Sequence, residues 1–155
     1  MQLSKNFRVE EFKCKDGSDL VLVADELIQR LQALREVLGK PVNINSAYRT
    51  VSHNHKIGGH KRSAHLAGLA ADIKVAGLDP AEVAKAAEIM GFRGIGLYKD
   101  FVHVDVASRR SFWDKRSGKA VYVQTFGGKS PANADYKALY EAAQKKLEQI
   151  RKIVA

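Results

Sequence analysis

The chain has 155 residues, the usual size of one domain, and 45% of them are hydrophobic, which excludes an intrinsically disordered chain. A formal net charge of +9 favours a polyanionic partner. The single cysteine, Cys14, excludes an internal disulfide, and no apolar run reaches the roughly 20 residues that would span a bilayer.

The first half of the chain predicts one helix, one strand and one long loop. Leucines recur on one face over residues 24–38, which predicts a helix that ends at Gly39. Residues 42–46 alternate as in a short strand. Residues 46–64 are polar and have no period, so we expect a loop there, and loops of that length often carry function.

The second half predicts one further strand, then a helix, then a β-hairpin. Residues 71–75 are typical of a strand, and residues 78–91 of a helix that begins after Asp79. The segments 94–98 and 101–106 alternate on either side of a two-residue turn, as in a β-hairpin.

Beyond the hairpin we expect a linker at residues 127–131 and an amphipathic helix at residues 132–155, packed on the same domain. Residues 1–126 would then form the main domain. Helices mixed with short antiparallel strands predict an α+β fold, a small antiparallel sheet with flanking helices.

The hairpin places polar side chains on one face of the predicted sheet. Alternation puts His103 and Asp105 on the face opposite to three valines, and Asp72 on the open face of its own strand. If these strands share a sheet, Asp72 and His103 meet, and His65 arrives from the loop before Asp72. Two imidazoles and one carboxylate suffice for Zn²⁺ and leave the open position typical of catalytic sites. Periodicity alone equally allows hydrogen-bonded structural histidines.

Motifs around these residues resemble those of the zinc murein peptidases of the D-alanyl-D-alanine carboxypeptidase family, which includes phage endolysins. The likeness is closest to the small, single-domain branch and runs from about Phe7 to Trp113. The S-x-Y-R-T motif is matched by Ser46, Tyr48, Arg49 and Thr50. The S-x-H-x-x-G-x-A-x-D motif is matched by Ser63, His65, Gly68, Ala70 and Asp72. The later G-x-G-x-Y and F-V-H-x-D motifs are matched by Gly94, Gly96, Tyr98, Phe101, Val102, His103 and Asp105.

The resemblance implies one Zn²⁺ per chain, held by the metal ligands His65, Asp72 and His103. It also implies a fold shared with the hedgehog signalling domain, in which a similar zinc site need not serve catalysis.

The resemblance further implies a substrate cleft lined by Arg49, Ser63 and Tyr48, with Arg49 binding a substrate carboxylate or carbonyl. A guanidinium suits that role because it binds carboxylates through two parallel hydrogen bonds. Two residues are candidates for the catalytic general base. Asp100 lies three positions before the last zinc histidine, and Asp105 shares the face of His103. Asp105 is alternatively a partner that orients an imidazole.

The expected function is zinc-dependent hydrolysis of amide bonds in peptidoglycan stem peptides, by a D-Ala-D-Ala carboxypeptidase or an endopeptidase of the endolysin type. The alternative is a non-catalytic, zinc-containing module that binds the cell wall. Peptidoglycan is the expected partner, together with anionic wall polymers. Because no nucleic-acid-binding motif is present, we expect no nucleic acid partner, and we expect a monomer.

The first twelve residues, MQLSKNFRVEEF, lack the apolar segment of a secretory signal. We therefore expect a protein made in the cytoplasm that acts on the wall after release, as a bacteriophage or prophage lysin does.

Overall fold

A computed structural model of the chain describes residues 1–127, together with Lys145 and Lys152. The predicted linker at 127–131 and C-terminal helix at 132–155 lie outside the described residues, apart from Gly127 and these two lysines. The described end of the main domain contacts Glu88, since the backbone N–H groups of Phe126 and Gly127 both donate to Glu88 Oε2, at 2.8 and 3.1 Å.

The described residues form three α-helices, two 3₁₀ turns and six strands. The helices are α1 (Asp25–Leu38), α2 (Val51–Lys56) and α3 (Pro80–Ile89). The 3₁₀ turns are Val9–Phe12 and Ala64–Ala67. The strands are β1 (Asn43–Ser46), β2 (Ala70–Lys74), β3 (Gly94–Leu97), β4 (Val102–Asp105), β5 (Ser111–Asp114) and β6 (Val121–Tyr122).

The strands form one sheet in the order β1-β2-β4-β3-β5-β6. All neighbouring pairs are antiparallel except β3 and β5, which are parallel. The predicted α+β class is therefore confirmed, but the sheet is mixed. β4 ends at Asp105 and β5 begins at Ser111, and both residues pair with Gly94 at the same end of the sheet. β5 therefore runs antiparallel to β4 and parallel to β3.

The hydrophobic core lies between one face of the sheet and helices α1 and α3. The sheet contributes fully buried side chains that alternate along its strands, among them Ile73, Ile95, Val102, Val104 and Phe112. The helices contribute Leu27, Leu31, Leu34, Val83 and Ala87. The predicted alternation in β2 and β4 is confirmed, and it leaves the other face of these strands for the polar residues.

Capping residues predict the end of α1 and the start of α3. Gly39 adopts a left-handed conformation, φ +63°, after α1, and its N–H donates to Arg35 O at 2.9 Å. Asp79 Oδ1 accepts a hydrogen bond from Ala81 N at 2.8 Å at the start of α3. Short-range chemistry of this kind can be read from sequence.

The expected uninterrupted loop at residues 46–64 is wrong, because α2 occupies part of it. This six-residue helix has mostly exposed or half-buried side chains, with Asn54 buried, so its sequence carries no apolar period. Strands β5 and β6 were not predicted either. β6 contains two residues, too few for alternation to be recognised, and in β5 Phe112 is buried while the other three residues are half-buried.

Arg93 ties α1 to the end of β4. Its guanidinium donates to both carboxylate oxygens of Glu26 at 2.9 Å, and its Nε donates to Ala107 O at 2.6 Å. These contacts fix the end of β4 against the helix layer. Among the described residues, no helix is long and apolar enough to cross a membrane.

Candidate metal centre

One row of register partners crosses the open face of the sheet. Directly paired residues lie on the same face. Reading from β1 to β6, the row is Ser46, Asp72, His103, Gly96, Trp113 and Tyr122. The predicted meeting of Asp72 with His103 is therefore found, since the two residues are direct partners of β2 and β4.

A short 3₁₀ turn delivers His65 to this face. Ser63 precedes the turn, and its Oγ accepts a hydrogen bond from His65 N at 3.3 Å. Gly68 ends the turn at φ +71°, and a Cβ there would lie 2.4 Å from Leu22 O. The serine and glycine of this motif thus shape the backbone that holds the histidine.

Three donors converge where these elements meet. Asp72 Oδ1 lies 3.2 Å from His65 Nε2 and 3.0 Å from His103 Nδ1. Ligand atoms of His65, Asp72 and His103 all lie within 4.8 Å of one another, so the three residues could hold a metal ion. The other nitrogen of each imidazole is also engaged, at 2.6 Å from Ala47 O for His65 and 2.8 Å from Asp105 Oδ2 for His103.

These contacts fit a cation between the three side chains. A backbone carbonyl is only an acceptor, so His65 Nδ1 carries the proton that it donates to Ala47 O. When Nε2 carries no proton, its lone pair faces an oxygen of the Asp72 carboxylate. The two groups then repel each other unless a cation or a proton lies between them. Two imidazoles and one carboxylate form a donor set suited to Zn²⁺.

The pKa values of Asp72 and His103 in the metal-free site also favour a bound cation. Burial by itself raises the pKa of the Asp72 carboxyl, but hydrogen bonds with His103 and His65 outweigh burial and hold that pKa below its usual range. Burial lowers the pKa of His103, yet hydrogen bonds with Asp105 and Asp72 raise it to about 9. Asp72 is thus an anion, and the metal-free site attracts positive charge.

Asp105 is held against His103 by its own surroundings. Its Oδ2 contacts His103 Nε2, and its Oδ1 accepts a hydrogen bond from Ala107 N at 3.1 Å. Gly94 is its register partner, and a Cβ on Gly94 would lie 1.9 Å from Asp105 Oδ2. The glycine therefore leaves the space that the carboxylate fills.

Arg49 contacts Asp72 from the side of β1. Its Nη2 donates to Asp72 Oδ2 at 3.1 Å, its Nε donates to Ser46 Oγ at 3.2 Å, and Nη1 lies 3.4 Å from Asn54 Oδ1. Asn54 is buried and in turn donates to His60 O at 2.9 Å. Arg49 thus lies beside the donor set, and it restrains the oxygen of Asp72 that the histidines do not contact.

The other predicted site residues are Ser63, Tyr48 and Asp100. Ser63 and Tyr48 are half-buried neighbours of His65 and Arg49 in the chain. Asp100 is exposed in the turn between β3 and β4 and lines a cavity of about 150 Å³ that Val83 and Val102 also line. Both valines face the core, so the structure places Asp100 at the end of the hairpin and outside the three-donor cluster.

An aromatic cluster beside His103 was not predicted as part of the site. The Trp113 ring centroid lies 5.2 Å from that of His103, and Trp113 Nε1 donates to Tyr98 Oη at 3.3 Å. Tyr98 in turn stacks on Phe101 at 4.3 Å. The available signal was Gly96, where a Cβ would lie 2.5 Å from the indole, but a glycine in a strand does not reveal what fills its space.

Fold, donor set and motifs together point to one class of protein, the M15 peptidase family. Residues 4–105 match the family model described as Peptidase M15, and the chain belongs to this family. The family predicted from the sequence motifs is thereby confirmed, and the predicted zinc cofactor agrees with the family and with the three donors.

Two curated relatives illustrate the match. The chain is 34% identical over 93 residues to the peptidoglycan L,D-endopeptidase MepK of Escherichia coli strain K12, covering 54% of this chain and 51% of that protein. It is 34% identical over 94 residues to the zinc D-Ala-D-Ala carboxypeptidase of Streptomyces albus G, covering 57% of this chain and 36% of that protein. The matches span about half of the first relative and about a third of the second.

Proposed function

We propose that the protein is a zinc-dependent peptidase that hydrolyses amide bonds in the stem peptides of peptidoglycan. The observation that carries the proposal is the convergence of His65, Asp72 and His103, each imidazole being anchored through its other nitrogen. Metal-binding histidines are held in this way by carbonyl and carboxylate acceptors. The family and the names of the two relatives supply the class of substrate.

In this proposal His65 Nε2, an Asp72 oxygen and His103 Nδ1 hold the metal. Zn²⁺ bound by three protein ligands acts as a Lewis acid toward a carbonyl and lowers the pKa of water to about 7. Ala47 O and Asp105 fix the two rings, so the donors need little rearrangement when the metal arrives.

Asp100 is the proposed general base. Both oxygens of Asp105 already have partners, which supports an orienting role for Asp105. Asp100 is exposed in the turn that precedes β4, three residues before His103. A water oxygen adds to the amide carbon while its proton passes to Asp100. The C–N bond then breaks, and the carboxyl of Asp100 returns the proton to the leaving amine.

Arg49, with Ser63 and Tyr48, is proposed to bind substrate next to the donors. The guanidinium lies within hydrogen-bond distance of Asp72 and keeps further N–H groups for a substrate carbonyl or carboxylate. Its positive charge would also stabilise the oxyanion that develops on the carbonyl oxygen during attack.

The two relatives are named for different bonds, an L,D-bond and a D-Ala-D-Ala bond. We therefore propose that the protein cleaves a bond to a D-residue of the stem peptide, and the masses of the products will identify which bond. If the protein is a bacteriophage endolysin, it must cleave the cross-links of the wall, and this cleavage lowers the turbidity of a cell-wall suspension. Removal of a terminal D-alanine leaves the turbidity unchanged.

The decisive experiment is mass spectrometry of purified peptidoglycan after incubation with the full chain, with and without a zinc chelator. New fragments that disappear with chelator and return with added Zn²⁺ are expected, and their masses identify the bond. His65→Ala serves as the matched variant because it removes one donor. Walls of several chemotypes that yield no fragments would overturn the proposal in favour of a non-catalytic wall-binding module.

A further inference from the structure

We infer that Trp113 and Tyr122 form a subsite for a sugar ring of the glycan strand that carries the stem peptide. The inference rests on the proposed function, because it assumes a peptidoglycan substrate. It adds a second recognition element, which would make the protein prefer stem peptides still attached to their sugars.

Trp113 is fixed in place at the inner end of this subsite. It is half-buried, with its ring beside that of His103 and its Nε1–H bonded to Tyr98. Gly96, its register partner on β3, leaves the space that the indole occupies. An aromatic ring restrained in this way loses little side-chain entropy when a ligand binds.

Tyr122 extends the same face outward. It is the register partner of Trp113 on β6, so the two side chains lie on one face of the sheet, with their Cβ atoms about 5 Å apart. Tyr122 is 75% exposed, whereas the side chain of Val121 faces the other side of the strand. An exposed tyrosine offers an apolar ring together with a hydroxyl that can hydrogen-bond.

The spacing along the row fits the length of a stem peptide. Strands lie about 4.8 Å apart, so β6, three strands from β4, lies about 14 Å from His103 across the face. Three extended residues span about 10 Å, and the link from the peptide to its sugar adds a few ångströms. A peptide laid across the strands with its third residue at the donors would bring its sugar to Tyr122.

The chemistry of the ligand favours a sugar at this position. Stem peptides are built from alanine, acidic and diamino residues, which offer no flat apolar surface to two aromatic rings. A pyranose ring presents a face of C–H groups, and its burial against an aromatic ring removes apolar surface from water. The hydroxyl and N-acetyl groups at the ring edge remain available to solvent and to the tyrosine hydroxyl.

The test uses the fluorescence of Trp113, the single tryptophan of the chain. A disaccharide-bearing stem peptide, and the same peptide without sugars, are titrated separately into the full chain in the presence of a chelator that prevents hydrolysis. We expect a saturable change in fluorescence with both ligands and about five- to tenfold tighter binding of the sugar-bearing one.

Three substitutions on β6 separate the subsite from general effects on the strand. Tyr122→Ala should remove most of the preference for the sugar-bearing peptide, and Tyr122→Phe should retain most of it. Val121→Ala, on the opposite face of the same strand, should keep the preference of the wild type. Equal affinity of the wild type for the two ligands, or an unchanged preference in Tyr122→Ala, would overturn the inference.

The same measurements distinguish failure of the inference from failure of the proposed function. Cleavage of peptidoglycan without any sugar preference would support the proposed peptidase activity and exclude the sugar subsite. A sugar preference that depends on Tyr122, in a protein that releases no fragments, would support the sugar subsite and exclude the proposed peptidase activity.

Discussion

Asp105 Oδ2 lies 2.8 Å from His103 Nε2, on the side of the imidazole opposite to Asp72. The contact fixes the ring so that Nδ1 turns toward the other donors. A carboxylate in this position orients a metal-binding histidine and increases its basicity.

Asp105→Asn should therefore weaken Zn²⁺ binding by about 10- to 100-fold. The amide keeps the size of the side chain but removes the negative charge that attracts the imidazole N–H. Competition with a chromogenic chelator measures the affinity. Asp114→Asn on β5, where the carboxylate binds Arg116, is the matched control and should leave the affinity unchanged. Full affinity in Asp105→Asn would show that His103 needs no carboxylate partner.

Gly94→Ala should weaken metal binding by displacing the same carboxylate. The added Cβ would lie 1.9 Å from Asp105 Oδ2, so the side chain must move, and we expect about 1–3 kcal/mol lower stability as well. Gly96→Ala is the companion variant, since its Cβ would meet the Trp113 indole instead. Near-ultraviolet circular dichroism should change in Gly96→Ala, whereas chelator competition should show the larger loss in Gly94→Ala. Equal behaviour of the two variants would contradict this assignment of the two glycines.

Zn²⁺ should raise the melting temperature of the full chain. A ligand that binds only the folded state at 100 times its Kd contributes about 2.7 kcal/mol, equivalent to about 5–10 °C for a chain of this size. His65→Ala should lose most of this increase, because it removes a donor at the centre of the site. Differential scanning fluorimetry with zinc and with chelator measures both proteins. A shift of equal size in His65→Ala would place the zinc elsewhere.

Much of the metal centre could be predicted because it depends on strand alternation. A period of two places Asp72, His103 and Asp105 opposite to the buried valines, and the register of β2 with β4 then brings Asp72 to His103. His65 was a candidate third donor from its place in the loop before Asp72, and the family resemblance supported that choice, since a histidine in a turn has no period.

The aromatic side of the cleft could not be predicted in the same way. Trp113 reaches His103 because β5 pairs with β3 rather than with β4, the strand that precedes it in the chain, and the sequence of a short strand gives no signal of that pairing. Arg49 was predicted as a substrate ligand, yet its contacts with Ser46 and Asp72 follow from the fold of β1 beside β2. Long-range pairing decides these contacts, and local patterns do not contain it.

Glu26→Gln should lower stability by about 0.5–1 kcal/mol at pH 7, because the pair with Arg93 is partly exposed. Hydrogen bonds from Arg93 hold the pKa of Glu26 below its usual value. A lowered folded-state pKa stabilises the protein above the unfolded-state value, and that contribution is lost as the pH falls through the folded-state value. Urea unfolding should therefore show a difference at pH 7 that shrinks below about pH 4. A difference that stays constant down to pH 3 would mean that the ion pair is not its cause.

Asp100→Asn should separate proton transfer from metal binding. Because Asp100 lies outside the three-donor cluster, the variant should keep the zinc content and melting temperature of the wild type. Loss of a general base typically lowers kcat by about 10²- to 10⁴-fold, and KM should change little. Asp105→Asn should show the reverse pattern, with reduced zinc content and activity that recovers at high zinc concentration. A fully active Asp100→Asn would exclude Asp100 as the base and direct the search to the other polar groups beside the donors.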